Sequence, residues 1–194
     1  SNKNVRSRLM GIPTLISTAT ASNASSVAIT SGIDSTYDEY MFVMTDIGPA
    51  TEYYDFQFQC SIDSGSNYNI AVTSTSIEVF HWEDDSDAGL GYSTGGDLAQ
   101  GTGYQPLCNL LGAGSDESGA GILHLFSPAS TVYVKHFYAR FHSYFGHASS
   151  GGGLGRPDDD FTAGYFNTTS AIDAISFKMS SGNFDGVIQM YGIA

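Results

Sequence analysis

The segment Tyr54-Asp55-Phe56-Gln57-Phe58-Gln59-Cys60 decides the fold class of this chain. An aromatic or sulfur-containing side chain occupies every second position, and an acid or an amide stands between them. Successive side chains of a β-strand point to opposite faces, so this period of two predicts a strand with one buried side and one solvent-facing side. The same alternation recurs in Ile175-Ser176-Phe177-Lys178-Met179.

Apolar and β-branched stretches on both sides of this segment predict further strands. They cover residues 14–20, 25–30, 39–45, 70–81, 121–126, 131–142 and 187–193. Roughly eight to eleven strands separated by Gly, Pro, Asn and Ser turns are typical of a two-sheet sandwich. We therefore predict an all-β, antiparallel, jelly-roll-like sandwich as a single domain over residues 14–194, preceded by an extended N-terminal arm over residues 1–13. The predicted core is formed by Phe42, Phe56, Phe58, Phe137, Phe177 and Ile188.

Two segments lack a clear period. Residues 83–119 and 143–160 are rich in Gly, Asp and Ser, which predicts long loops, the first with a short strand near Leu107. Loops of this length in a compact domain are often functional.

Charge is scarce and unevenly distributed. Charged residues make up 14% of the chain and the net charge is −13, so the body should repel nucleic acid and anionic membranes. Three of the seven basic residues, Lys3, Arg6 and Arg8, lie in the arm, which leaves four basic against 20 acidic residues and a net charge of −16 for the remainder. This segregation predicts that the arm docks onto an acidic partner. A solvated, frayed terminus is the alternative.

The predicted docking residues share one segment and two kinds of chemistry. Arginine and lysine suit carboxylates, and the apolar side chains suit a groove on the partner. The docking residues are Lys3, Arg6, Arg8, Leu9, Met10 and Ile12.

Catalytic and metal-binding motifs are weak throughout. The acidic run at 83–89 resembles half of a calcium loop, but it lacks a third alternating ligand and a closing Glu, so a solvated loop is the favoured interpretation. Asp158-Asp159-Asp160 is interpreted as a charged loop, because three adjacent carboxylates cannot all face one ion. The five histidines have no metal-ligand spacing, and Trp82 beside the acidic run could stack on a sugar or simply pack at a strand end. We predict no cofactor, no metal and no enzymatic activity.

Two cysteines, Cys60 and Cys108, fall in apolar surroundings and are predicted to be buried free thiols. That state fits assembly in a reducing cytoplasm. No apolar signal core follows the first residues, which predicts that the chain is not secreted by the general route.

Several segments together resemble one family. Residues 14–22 and 30–40 are similar to the start of small virion structural proteins of marine tailed bacteriophages. Similar segments of that family match Phe56-Gln57-Phe58-Gln59-Cys60, residues 164–169 and 177–183, and the ending 186–193. The resemblance covers most of residues 14–194 and implies a phage particle, but it carries no catalytic residue across.

Three function classes follow from these observations. The favoured one is a capsid decoration or cement protein on the outer head surface, in contact with the major capsid protein and with copies of itself, most simply as a trimer. The alternative is a tail or head fibre module that binds host glycans through the long loops. A small hydrolase or lectin has no supporting motif.

Overall fold

A computed structural model of the chain describes residues 11–145 and 155–194, and these residues form strands and turns without a helix. The first six strands are β1 (Thr14–Ala24), β2 (Val27–Ile29), β3 (Glu39–Pro49), β4 (Phe56–Ser61), β5 (Val72–His81) and β6 (Ala88–Tyr92). The remaining ones are β7 (Ala99–Gly101), β8 (Gln105–Pro106), β9 (Gly119–Phe126), β10 (Lys135–Phe145), β11 (Arg156–Phe166), β12 (Ala174–Met179) and β13 (Phe184–Ile193).

The strands form two antiparallel sheets of unequal size. The large sheet has nine strands in the order β1-β13-β3-β9-β10-β11-β5-β6, with β7 also paired to β5. The small sheet has four strands in the order β2-β12-β4-β8. The predicted all-β sandwich is therefore confirmed.

Strand order also identifies the jelly-roll arrangement. Without β10–β11 and β5–β7, the sheets are β1-β13-β3-β9 and β2-β12-β4-β8, so consecutive strands alternate between the sheets except β4 and β8, which pair within the small sheet. Two interlocked Greek keys of eight strands have this order. The other strands are insertions, and all of them belong to the large sheet.

One hydrophobic core joins the sheets, and it contains all six residues predicted for it. Phe58 of β4 contacts Phe137 of β10 edge-to-face at 5.1 Å between ring centroids. Phe56, on the same strand, contacts Phe184 of β13 at 5.3 Å. Each of these pairs spans the two sheets, so the aromatic side of β4 holds the sandwich together.

The two predicted loops are wrong in extent. Residues 83–119 contain β6, β7, β8 and the start of β9, with β8 just before Leu107 as expected. In residues 143–160, β10 continues to Phe145 and β11 begins at Arg156. The period of two is weak in both segments. In β6 glycines occupy one face, and in β11 aspartates occupy buried positions where a strand usually has apolar side chains.

Two smaller differences have physical causes. Tyr133 lies before β10 and is exposed, although Lys135 and Phe137 share the buried face as predicted. Gln59, expected on the wet side of β4, is fully buried. Its amide nitrogen donates to the carbonyl oxygens of Ile70 at 3.1 Å and Gly103 at 2.7 Å, so the inserted strands both cover this residue and satisfy its polar atoms.

Truncation of the inter-sheet rings should test this core. We expect Phe56→Ala and Phe58→Ala each to lower the free energy of unfolding by about 3–5 kcal/mol, because each leaves a cavity between the sheets. Chemical denaturation followed by tyrosine fluorescence measures the change. Tyr133→Ala, at an exposed aromatic site, is the control and should change stability little; equal effects at all three positions would contradict the assigned core.

Candidate interaction surface

The outer face of the large sheet is the surface that no other part of the described chain covers. Side chains directly opposite each other on paired strands point to the same side. Across this face the register joins Ile122 of β9, Arg140 of β10 and Phe161 of β11 in one row. The row continues through Ile77 of β5 to Tyr92 of β6. This row is thus apolar from β9 to the edge strand β6, interrupted by one arginine.

We define the apolar patch as the seven large, exposed side chains on this face. They are Ile77, Val79, Leu90, Tyr92, Ile122, Tyr138 and Phe161. Leu90 and Tyr92 on the edge strand protrude furthest, with 74% and 56% of their surface exposed. From their exposed fractions the seven side chains present roughly 700 Å² to solvent, above the few hundred Å² of the largest patch on most monomers. A patch of this size marks an interaction surface.

Charge inside the patch is neutralised within the chain. The guanidinium of Arg140 donates to the carboxylate of Asp159 through Nε at 2.9 Å and Nη2 at 2.6 Å. Arg140 is opposite Phe161 in the register, and Asp159 lies two residues before that ring on the same strand. Because this pair is bidentate, a partner that covers the patch does not have to supply a counter-charge.

A depression of about 400 Å³ lies in the middle of this face, over β3, β9, β10 and β11. It is lined by Val43, Ala120, Ile122, Arg140 and His142, among others. The small side chain of Ala120 contributes to the depression, and β3 bulges between Met44 and Ile47 beside it. The volume suits one or two aliphatic or aromatic side chains.

Two carboxyls predicted to lie in a charged loop are instead buried inside the sandwich. Asp158 and Asp160 point inward from β11, whereas Asp159 between them points outward to Arg140. The side chain of Asn109 lies 3.3 Å from Asp160, and Arg156 Nε lies 3.0 Å from Asp158. Burial raises the pKa of Asp160 to about 7 and that of Asp158 to about 6, the latter against the opposing charge of Arg156.

The acidic turn at 83–87 uses its carboxylates for local hydrogen bonds. The Asp84 carboxylate accepts from the backbone of Ser86 at 3.0 Å, and Asp87 accepts from Ala88 at 2.9 Å. Glu83 accepts from the backbone of Gly155 at 2.8 Å. Within residues 11–145 and 155–194, no group of three or more His, Cys, Asp or Glu side chains could hold a metal ion.

The remaining sequence candidates occupy ordinary packing positions. The guanidinium of Arg156 lies 5.4 Å from the Trp82 ring, which favours packing at the strand end over sugar stacking. Cys60 and Cys108 are buried free thiols as predicted, and burial raises both pKa values well above the usual range. His124 pairs with Glu39 and stacks on Tyr138 at 4.6 Å.

Five of the predicted docking residues, Lys3, Arg6, Arg8, Leu9 and Met10, lie outside the described residues. The sixth, Ile12, is 69% exposed just before β1. Strand β1 forms the edge of the large sheet opposite β6, so this side chain lies far from the apolar patch. The part of the chain that the structure describes has no helix long and apolar enough to cross a membrane.

Sequence reasoning missed the apolar patch altogether. In β5 and β11 the members of the patch alternate with buried residues. Each of these strands therefore has some apolar side chains on its inner face and some on its outer face. This is the pattern of a strand covered on both sides, and it was available at Ile77, Val79 and Phe161. Leu90 and Tyr92 gave no such signal because they lie among glycines.

The buried aspartates predict a pH dependence of stability. Their pKa values are higher in the folded chain than the usual 3.8, so their protonated forms favour folding. The contribution of these two carboxyls to the free energy of unfolding is therefore greatest below about pH 4 and declines as the pH rises through 6 to 7. Asp160→Asn, which keeps the side chain neutral, should remove roughly 2–4 kcal/mol of that decline.

Thermal unfolding from pH 4 to 8 measures this effect. Thr162→Val is the matched control, because it lies two residues along the same buried face and has no titratable group. It should shift the melting temperature equally at every pH. If Asp160→Asn also gave a shift independent of pH, the carboxyl would not be protonated in the folded chain.

Comparison with known proteins finds no relative of this chain. No protein-family model, curated protein or solved structure matches the chain. Interpretation of the apolar patch therefore depends on its own burial, register and charge.

Proposed function

We propose that this chain is a non-enzymatic structural protein of a tailed-bacteriophage particle, and that it decorates the outer surface of the head. The observation that carries the proposal is the apolar patch, which a protein acting as a free monomer would leave open to aggregation. A chain built for permanent assembly has that surface covered by its neighbours. The kind of assembly comes from the resemblance of most of residues 14–194 to small virion proteins.

Charge supports an external position. The net charge of −13 opposes contact with densely packed DNA inside a head, since the phosphates would repel it. The partners in this proposal are the major capsid protein and further copies of the chain, without nucleic acid or a membrane. The chain would be assembled onto particles in the host cytoplasm.

Attachment in this proposal uses the arm. The basic side chains Lys3, Arg6 and Arg8 would pair with carboxylates of the capsid, and Leu9, Met10 and Ile12 would enter an apolar groove beside them. An arm that orders on binding is weak alone, so lateral contacts between many copies are needed to hold it. Its attachment point on β1 is at the opposite sheet edge from β6, which leaves the patch available for those lateral contacts.

Particles lacking this protein provide the test. The full chain should bind them to saturation, and a variant lacking residues 1–13 should fold but bind at least tenfold more weakly. Among the described residues 11–20, none belongs to the buried core, so folding should be retained. The double variant Arg6→Ala/Arg8→Ala should weaken binding in a salt-dependent manner. Full occupancy by the shortened variant in moderate salt would show that the arm is not the anchor, and absence of any binding by the full chain would refute decoration.

A fibre or receptor-binding module that contacts host glycans is the second candidate function. One observation favours it: a depression of about 320 Å³ is lined by Tyr37, Asp38, Tyr133 and several serine hydroxyls. Aromatic faces with convergent polar groups suit a sugar ring. Binding to an array of bacterial surface glycans that is lost in Tyr133→Ala would favour this function over decoration.

A further inference from the structure

The edge strand and the middle of the outer sheet face are complementary in shape. The edge strand β6 presents Leu90 and Tyr92 as protruding apolar side chains. About four strands away, the depression beside Ala120 and Val43 is apolar and open. The protrusion and the depression lie on the same face of one chain, too far apart to meet each other within it, because neighbouring strands are separated by about 4.8 Å.

We propose that the apolar patch is a self-association surface, in which Leu90 and Tyr92 of one copy enter the depression beside Ala120 of the next. We place this contact in a heterologous ring, in which each copy uses its protrusion on one neighbour and its depression on the other; a two-fold pair, in which each protrusion enters the other copy's depression, is the competing arrangement. A ring of three is the smallest that such a contact closes. This inference rests on the proposed structural role, and it identifies a second copy of the chain as the partner in the lateral contacts.

Surface area supports a second copy as the occupant. The apolar patch alone exposes roughly 700 Å², close to the about 800 Å² per partner that a stable complex of standard size buries. A ring distributes this area over two contacts for each copy, one through the protrusion and one through the depression. Each contact alone is then smaller than a standard interface, so the ring depends on all of its contacts forming together.

Charge supports the same occupant. Copies with a net charge of −13 repel one another over most of their surface. The apolar patch avoids this repulsion because its one exposed arginine, Arg140, is already paired with Asp159. A surface that binds a basic partner would instead be expected to contain unpaired carboxylates. The neutral patch is the part of this acidic surface where like chains can approach.

Substitution at the protrusion gives the first test. Purified full-length chain at micromolar concentration should have the mass of a trimer by light scattering, whereas Leu90→Asp should be monomeric. Val132→Asp is the matched control, because Val132 is 68% exposed but lies outside the patch in the segment before β10, and it should remain trimeric. Circular dichroism reports whether each variant is folded. Ala120→Arg, which fills the depression at an exposed position, is the second variant and should also be monomeric.

Cross-linking tests which surfaces meet. The double variant Leu90→Cys/Ala120→Cys should form disulfides between copies, and the largest covalent species should be a trimer. Each single cysteine variant should stay unlinked, and the native Cys60 and Cys108 do not interfere because they are buried. A covalent series that ends at a dimer would overturn the ring in favour of a two-fold contact, and the absence of any cross-link would overturn the pairing of Leu90 with Ala120.

The outcomes separate this inference from the proposed function. A wild-type monomer, or a Leu90→Asp variant that remains trimeric, overturns self-association through the patch. If that monomer still saturates particles, decoration stands and another capsid protein covers the patch. A trimer that binds no particle leaves self-association intact and refutes decoration.

Discussion

Contact between phenylalanine rings across the two sheets is the interaction on which the rest of this structure depends. Phe56 and Phe58 of β4 point into the sandwich and meet rings from β10, β11, β12 and β13. Both rings are fully buried, so β4 joins the small sheet to three strands of the large sheet and also packs on β12 in its own sheet. Their removal would leave a cavity between the layers and weaken a contact to which Ile29, Phe177 and Met179 of the small sheet also contribute.

A second constraint is the unequal size of the sheets. Four strands cannot cover nine, so the inner face of β5 and β11 extends past the apolar core. Polar contacts replace aromatic ones there: Ser74 donates to the Gln105 side chain at 2.6 Å, and Ser76 contacts Thr162 at 3.3 Å. Asp158 and Asp160 lie in the same region. Their pKa values are raised because both carboxyls are buried. The segment preceding β9, instead of the small sheet, covers them.

The inserted strands also explain the apolar patch. A jelly roll with two equal sheets does not contain β5, β6, β10 or β11, and these strands contribute six of the seven patch residues. The inserted strands therefore add area to both faces of the large sheet. The chain covers the added area on the inner face but leaves the added area on the outer face exposed. Selection of apolar side chains on the uncovered side is consistent with the proposed assembly, in which neighbouring copies would cover it.

Sequence by itself determined the fold class and the core. The alternation around Phe56 and Phe58 requires a strand with one buried face, and the absence of helix-favouring stretches leaves a sandwich as the way to bury several such faces. All six predicted core residues are buried for this reason, and the two cysteines with them. These properties depend on local period and side-chain chemistry, which a sequence contains directly.

Only the tertiary structure decided which strands neighbour each other and what their second faces meet. Ile77, Phe161 and Leu90 come from three separate stretches of sequence, and they form one patch because β11, β5 and β6 pair in that order. Asp158 and Asp160 look like solvated acids until the fold places them beneath the segment that contains Asn109. Burial and adjacency are properties of pairs of distant segments, so the local pattern of one strand cannot specify them.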